Sequence, residues 1–386
     1  MSILLCQISN NLINSDNDNN DISSLYYNTI YKLHLEDGYQ RPDDFWEIPV
    51  WIAQTAYTIP NCELHIVRNI EDSIKFINNS SYDSVIFSVL NTNKNIIDTL
   101  CSGIDKTVYY GGYTKLENTD AIYIENINKL CNLIGVPYKF GTDYSMFDKN
   151  TTIPRLQMST GCHYHCKFCM IDNTVVEVNK DIILQQVESF KKLDFKLIYI
   201  DDKTFGQSSN YRLLKDIYKI IKKYNPIFNG FIVQTTGSQI HKINFEDLHI
   251  FACEIGVESY NDSILKAFKK PVTTKLLKES VQILKKYNIN VILNLIIGLL
   301  GESKQTYTNT LNFVNNTCPY SLNVYNLAIY DNAEISEEIV NTTDEDSNEL
   351  IINRSYNSDA INKLNHWFND EIFKTGLALL SNIKKL

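Results

Sequence analysis

No stretch of this chain is apolar for long enough to span a bilayer, so a soluble protein is expected. A charged-then-apolar secretory segment is missing from its start, and its nine cysteines are therefore expected as thiols in a reducing cytoplasm rather than as disulfides. Positive charge is also in deficit: 36 Lys and Arg stand against 45 Asp and Glu, a formal net charge of −9. That balance disfavours nonspecific attachment to phosphate backbones, and a nucleic-acid partner is not expected. No internal repeat is visible. What is present, 386 residues of which 44% are apolar and 21% charged, is enough for two globular domains with substantial cores.

Three of the cysteines are concentrated in Gly161-Cys162-His163-Tyr164-His165-Cys166-Lys167-Phe168-Cys169. Thiolates at this spacing can hold an iron–sulfur cluster by three of its irons and leave a fourth open to a ligand that is not protein. A zinc site is the alternative, with His163 or His165 as fourth ligand, although zinc loops usually come as two separated ligand pairs. Cys62, Cys101 and Cys131 sit where small buried hydrophobes are expected, Cys253 lies early in a strand and Cys318 ahead of one, neither suggesting a second cluster or a hydrogen-atom donor, and Cys6 ends the first expected strand.

Apolar, β-branched runs at Lys196–Ile200, Gly230–Val233, Ile250–Val257, Val291–Ile297 and Leu322–Ile329 alternate with helical patterns such as Ile183, Val187, Phe190 and Leu277, Val281, Leu284. Strands alternating with helices imply parallel βαβ units. With Arg155–Ser159 as first strand, six units make a partial (β/α)6 barrel of the TIM type, whose sites lie at the carboxyl ends of its strands. Asp201 and Asp202 follow one strand, as ligand or as helix cap and turn pair. Gln234 and Thr235 end the next. Glu258 ends the fourth, as ligand or as half of a buried ion pair. Gly298 and Gly301 allow close backbone approach or a plain turn. Tyr325, Tyr330 and Asp331 are weaker substrate-facing candidates.

Ahead of this barrel, Ser2–Cys6, Glu63–Val67, Ser84–Ser88, Thr107–Tyr110 and Ala121–Ile124 read as strands, with helical stretches at Trp46–Thr58, Asp72–Asn78 and Lys94–Leu100. This is a doubly wound, Rossmann-like (flavodoxin-like) α/β pattern, which binds ligands beyond the carboxyl ends of its strands. The expected domains are 1–140, a linker 141–153, the barrel 154–331, and 332–386 with an acidic loop (Asp331–Asp359) and a helical tail (Ala360–Leu386) striped by Ile361, Leu364, Trp367 and Phe368.

The C-x3-C-x2-C loop with Phe168 before its last cysteine resembles the signature of radical S-adenosylmethionine (SAM) enzymes. Ile198-Tyr199-Ile200-Asp201-Asp202, Gly256-Val257-Glu258-Ser259 and Ile297-Gly298-Leu299-Leu300-Gly301-Glu302 look like that superfamily's second, fourth and fifth strand motifs, so the resemblance covers about residues 152 to 331. It implies a [4Fe-4S] cluster on Cys162, Cys166 and Cys169. It further implies SAM surrounded by Asp202, Gln234, Glu258, Gly298, Gly301 and Glu302, and an external one-electron reductant such as flavodoxin or ferredoxin. The substrate would be a small molecule or peptide. Cofactors of this kind supply the hard chemistry while the protein binds, orients and excludes water.

Ser88-Val89-Leu90 and Gly111-Gly112, followed by a polar linker and Asp143-Tyr144-Ser145-Met146-Phe147-Asp148, resemble the cobalamin-binding-type domain that precedes many radical SAM enzymes. The resemblance implies that Ser88, Leu90, Gly111 and Gly112 border a pocket for the corrinoid's nucleotide tail. Its cobalt-ligating Asp-x-His-x-x-Gly element is absent, since Cys6-Gln7-Ile8-Ser9-Asn10-Asn11 stands there and no histidine precedes His34. A cobalamin-type domain without corrinoid is the alternative. With cobalamin, methylation of an unactivated carbon is implied; without it, rearrangement, ring contraction or epimerisation. Methylthiotransferases share the layout but carry second-cluster cysteines where this chain has Asn93 and Gly112. A noncatalytic zinc- or cluster-bearing binding protein is the reading from another class.

Overall fold

The computed structural model describes residues 2–16, 48–90, 92–112, 114–117, 119–147, 153–299, 301–327 and 333–335. Tyr330, Asp331 and nearly all of the acidic loop and helical tail lie outside these, as do Trp46, Asp148 and Leu300.

The amino-terminal unit is one parallel sheet of β1 (Ile3–Ile8), β2 (Cys62–Val67), β3 (Ser84–Val89), β4 (Thr107–Gly112) and β5 (Ile122–Tyr123), in the order β2-β1-β3-β4-β5. That order reverses between β1 and β3, as in doubly wound sheets. Its helices are α1 (Asn10–Asp16), α2 (Val50–Thr58), α3 (Ile70–Asn79), α4 (Lys94–Gly103) and α5 (Ile127–Ile134). Helices cover both faces: Ile3, Leu5 and Ile86 belong to one core, Leu4, Cys6, Val85 and Phe87 to another. Parallel strands buried on both sides read as continuous apolar runs, which is why this unit is visible in the sequence. Local signals fix the helix ends. Asn69 and Asn126 cap α3 and α5 through the Asp72 and Lys129 N–H groups, and Gly135 closes α5 in the left-handed conformation.

The strands run further than their apolar runs suggest. β1 continues to Ile8, so Cys6 lies inside it and is buried core, and β4 includes Gly111 and Gly112 themselves. Backbone pairing with the neighbouring strand carries β1 through the polar Gln7 to Ile8 and β4 through the two glycines.

The second unit is a six-stranded parallel sheet, ordered β13-β12-β11-β10-β9-β6. Its strands are β6 (Arg155–Leu156), β9 (Leu197–Ile200), β10 (Gly230–Thr235), β11 (Ile250–Glu258), β12 (Asn290–Ile297) and β13 (Ser321–Asn326). The connecting helices α6 (Lys180–Ser189), α7 (Leu214–Tyr224), α8 (Gly237–Ile240), α9 (Asp262–Ala267), α10 (Thr274–Lys286) and α11 (Lys304–Thr317) follow the strands. Ile183, Val187, Leu277, Val281 and Leu284 are all buried, as their helical spacing predicts.

The expected first strand, Arg155–Ser159, is interrupted. Its end leaves the sheet as β7 (Ser159–Thr160) and pairs antiparallel with β8 (Val176–Glu177), closing the neck of the cysteine loop. Asp202 Oδ1 takes the Met158 and Ser159 N–H groups at 3.0 and 2.8 Å, so a side chain satisfies donors that a continuous strand would give to its neighbour.

The expected polar linker is anchored wherever it is described. Tyr144 and Phe147 are fully buried, Tyr144 donates its hydroxyl to the Arg155 carbonyl (2.9 Å), and Asp143 N donates to Ala53 O (2.9 Å). A single apolar core consequently runs from Ile3 and Ile86 through Tyr144 and Phe147 to Phe190, Phe231 and Cys253.

Candidate active site

The three cysteines lie on the loop between β7 and β8, at the carboxyl-end mouth of the six-stranded sheet. Gly161 enters the loop at φ +74, where a Cβ would collide with the Thr174 carbonyl, so only glycine fits. Cys162 N donates to Asp172 O (2.8 Å), Cys169 N to Cys166 O (2.9 Å) and Lys167 N to Phe268 O (3.1 Å). Phe168 packs on Phe268 with ring centroids 6.1 Å apart, and both join Leu299 and Ile264 in a small apolar cluster. The loop is thereby pinned to the segments after β11 and β12.

Burial pushes the Cys166 thiol up to about 11 and raises that of Cys169. Ligation must therefore displace protons, as metal binding to thiols does. Among the described residues, no three His, Cys, Asp or Glu side chains converge on a single-ion position. The three cysteines nevertheless act on one another electrostatically. Three thiols on one short loop suit a multi-iron cluster, each on its own iron. His163 and His165, the alternative zinc ligands, are exposed.

Around this loop stand the residues expected to meet SAM. Asp202 is 2% exposed, its carboxyl pushed up to about 6 by burial against the pull of the Ser159 hydroxyl and the Ser159 and Met158 N–H donors. Its Oδ1 is spent on those two N–H donors, whereas Oδ2 is buried with no partner among the described residues. A buried lone oxygen at the mouth fits a ligand's N–H or ammonium donor. Asp201 instead pairs with Arg155 (2.9 Å) and Lys203 (3.7 Å), and Arg155 stacks on Tyr199 at 4.3 Å. Gln234 accepts the Tyr199 hydroxyl at 3.2 Å, and Thr235 donates to the buried Phe205 carbonyl.

Glu258 ends β11 in the left-handed region (φ 58), just past a break in register with β12. That conformation turns its carboxylate onto Lys270 Nζ at 2.5 Å, both side chains being under a tenth exposed. Burial works against the Lys270 charge, but Glu258 and the Cys166 and Cys169 thiols more than offset it and raise its pKa. A Cβ at Gly256 would strike both members of the pair, so the glycine is a cradle for it. The ion-pair reading of Glu258 is the arrangement seen, facing the cluster cysteines. Lys270 was invisible in the sequence: it lies between α9 and α10, and nothing in Lys269-Lys270-Pro271 marks it as buried.

Gly298 adopts φ 93 and gives its N–H to Glu302 Oε2 at 2.9 Å, so the Gly298–Glu302 turn folds back on itself. Burial pushes Glu302 up to about 7. Gly301, at φ 89, is exposed. Asp202, Gln234, Glu258, Gly298 and Glu302 thus come from four strand ends to one mouth.

At the amino-terminal sheet, Ser88, Gly111 and Gly112 line one cavity of about 400 Å³ with Trp51, Asn126 and Tyr138. Gly112 has φ +112, and a Cβ there would collide with the Val89 carbonyl. Leu90 does not line this cavity; it is 40% exposed and its N–H is tied to Asn93 Oδ1 at 2.8 Å. Asn93 also donates to Ser88 O (3.0 Å), a bracing role for that position.

Comparison with known proteins follows the same division. Residues 156–314 match the Radical SAM superfamily. A tRNA-2-methylthio-N(6)-dimethylallyladenosine synthase of Buchnera aphidicola subsp. Cinara cedri (strain Cc) is 26% identical over 54% of this chain and 53% of its own length. A ribosomal protein uS12 methylthiotransferase RimO of Prochlorococcus marinus (strain MIT 9215) is 19% identical over 44% of this chain and 40% of its own. The chain spans about half the length of the curated relatives it matches. Among solved structures, the radical SAM methyltransferase TsrM from Kitasatospora setae, with cobalamin and a [4Fe-4S] cluster bound, has a TM-score of 0.59 at 12% identity over 92% of this chain and 82% of that one. The cobalamin-dependent radical enzyme OxsB with aqua-cobalamin has a TM-score of 0.62 at 13% identity over 93% of this chain and 63% of that one. Such identities establish likeness of fold, and the coverage includes both sheets. With its three-cysteine loop at the mouth of the matched domain, the chain carries a radical SAM superfamily domain over residues 156–314, preceded by a sheet whose fold is like that of the two cobalamin-bound structures.

Proposed function

We propose that this chain is a cobalamin-dependent radical SAM methyltransferase acting on an unactivated carbon of a small molecule or peptide. We read its amino-terminal sheet as a Rossmann-type corrinoid cradle and its six-stranded sheet as a partial (β/α)6 barrel. One combination carries the reading: a three-cysteine loop at the mouth of one sheet, preceded in the chain by a sheet whose Ser88, Gly111 and Gly112 edge bounds a cavity of about 400 Å³. A cluster bound at the cysteine loop would supply the electron for reductive cleavage of SAM, and a bound methylcobalamin would supply the methyl group. Cys162, Cys166 and Cys169 would hold the cluster. Asp202 Oδ2, Gln234, Glu258, Gly298, Gly301 and Glu302 would surround SAM, with the bulk of Phe168 and Leu299 keeping water from the loop. Ser88, Gly111 and Gly112 would admit the nucleotide tail, since glycine edges let a ligand approach the backbone. An external one-electron reductant completes the system.

The cobalamin bound in TsrM and OxsB supports cobalamin over a bare radical rearrangement. The names of the curated relatives favour methylthiotransfer, but by the resemblance drawn from the sequence Asn93 and Gly112 stand where such enzymes carry second-cluster cysteines. Anaerobic purification from cells supplied with cobalamin, with corrinoid and iron quantified on one sample, tests the reading. Near-stoichiometric amounts of both are expected. Iron without corrinoid would sink the methyltransferase and leave a radical SAM rearrangement, ring contraction or epimerisation.

A further inference from the structure

The cysteines of the loop are not equivalently surrounded. Cys162 Sγ lies 3.2 Å from Thr204 Oγ1 and 3.7 Å from Gln207 Nε2. The Gln207 amide is oriented by its other end, because His163 N–H donates to Oε1 at 3.1 Å and this turns the NH2 toward the sulfur. Thr204 is 4% exposed, on a segment held by Phe205 N donating to Gln234 O (2.8 Å) and by Gln239 donating to Gly206 O (2.6 Å). An iron-bound thiolate has no proton to give, so the Thr204 hydroxyl must be the donor once the sulfur is a ligand. Cys166 and Cys169 instead feel the Lys270 and Glu258 charges, which oppose each other.

We propose that Thr204 and Gln207 are positioning residues that hydrogen-bond Cys162 Sγ and raise the reduction potential of the cluster. Hydrogen bonds to cluster sulfurs stabilise the more negative, reduced form and are among the levers that set such potentials. This rests on the cluster ligation of the proposed function and adds to it which ligand is tuned, and by what.

The experiment is a redox titration of the anaerobically reconstituted full chain, followed by electron paramagnetic resonance in the absence of SAM, with iron counted on each sample. Thr204→Val and Gln207→Leu should each move the midpoint to more negative potential, the double variant further, while Thr204→Ser stays near wild type because it keeps the hydroxyl. Unchanged midpoints in both single variants at full iron content would overturn the proposal. So would a Thr204→Ser shift as large as that of Thr204→Val, which would assign the effect to packing. If Thr204→Val fails to fold, Gln207→Leu decides, its side chain being half-buried. A wild-type chain that takes up no iron would instead sink the cluster assignment itself, an outcome visible before any variant is made.

Discussion

The two parallel sheets present different side chains at the same end. At the six-stranded sheet, strand ends crowd buried charge around the cysteine loop: Asp202 and Glu302 are pushed up to about 6 and 7, and Lys270 is buried against Glu258. At the five-stranded sheet, the corresponding edge is mostly backbone, glycine and neutral side chains around a cavity. Under the proposed function, low-dielectric charge suits the ammonium and carboxylate groups of SAM beside a cluster. A neutral glycine edge suits a bulky ligand recognised by shape. Nothing about the shared βα architecture dictates either outcome; the side chains at the strand ends do.

Breaking the charged mouth should cost most. Cys166→Ala is expected to abolish cluster iron and 5′-deoxyadenosine formation from SAM with dithionite, checked by iron analysis and chromatography; retention of the product would remove the loop from the chemistry. Lys270→Met strands Glu258 in the interior and should lower stability by about 3–5 kcal/mol in urea unfolding, with Glu258→Gln in the same chain recovering much of the loss.

Glu302 sharpens the comparison through pH. Its native carboxyl titrates near 7, above the ordinary 4.5, so between these values the folded state binds more protons than the unfolded. Stability should therefore fall as pH rises through that window, by at most about 3 kcal/mol at 1.36 kcal/mol per pKa unit. Glu302→Gln should flatten the slope of unfolding free energy against pH. At the neutral edge the smallest effect is expected: Gly112→Ala, strained at φ +112 and against the Val89 carbonyl, should cost more than about 1 kcal/mol and lower corrinoid retention without changing cluster iron. Equal loss of iron and corrinoid would mean that the two mouths are not independent.

Much of the site was legible because its chemistry is local. Three thiols within one loop declare a cluster, and apolar runs ending in Asp202, Gln234 and Glu258 place polar side chains at strand ends without any tertiary knowledge. What could not be read depends on partners far along the chain. Asp202 braces Met158 and Ser159 across 44 and 43 residues. Leu90 was expected at the cavity but is drawn away by its bond to Asn93. The Rossmann-type order was expected as a pattern, yet a polar-looking linker hides Tyr144 and Phe147, whose burial joins the two units.

The sequence by itself determined the alternation of strand and helix, the three-cysteine donor set and the glycines whose φ no other residue adopts freely, because hydrophobic period, ligand spacing and backbone sterics act over a few residues. Only the tertiary structure decided that Lys270 is buried beside Glu258, that Thr204 and Gln207 reach Cys162, and that Asp202 divides its oxygens between strand and mouth. Those outcomes turn on desolvation and on contacts between distant segments, and neither exists until the chain has packed.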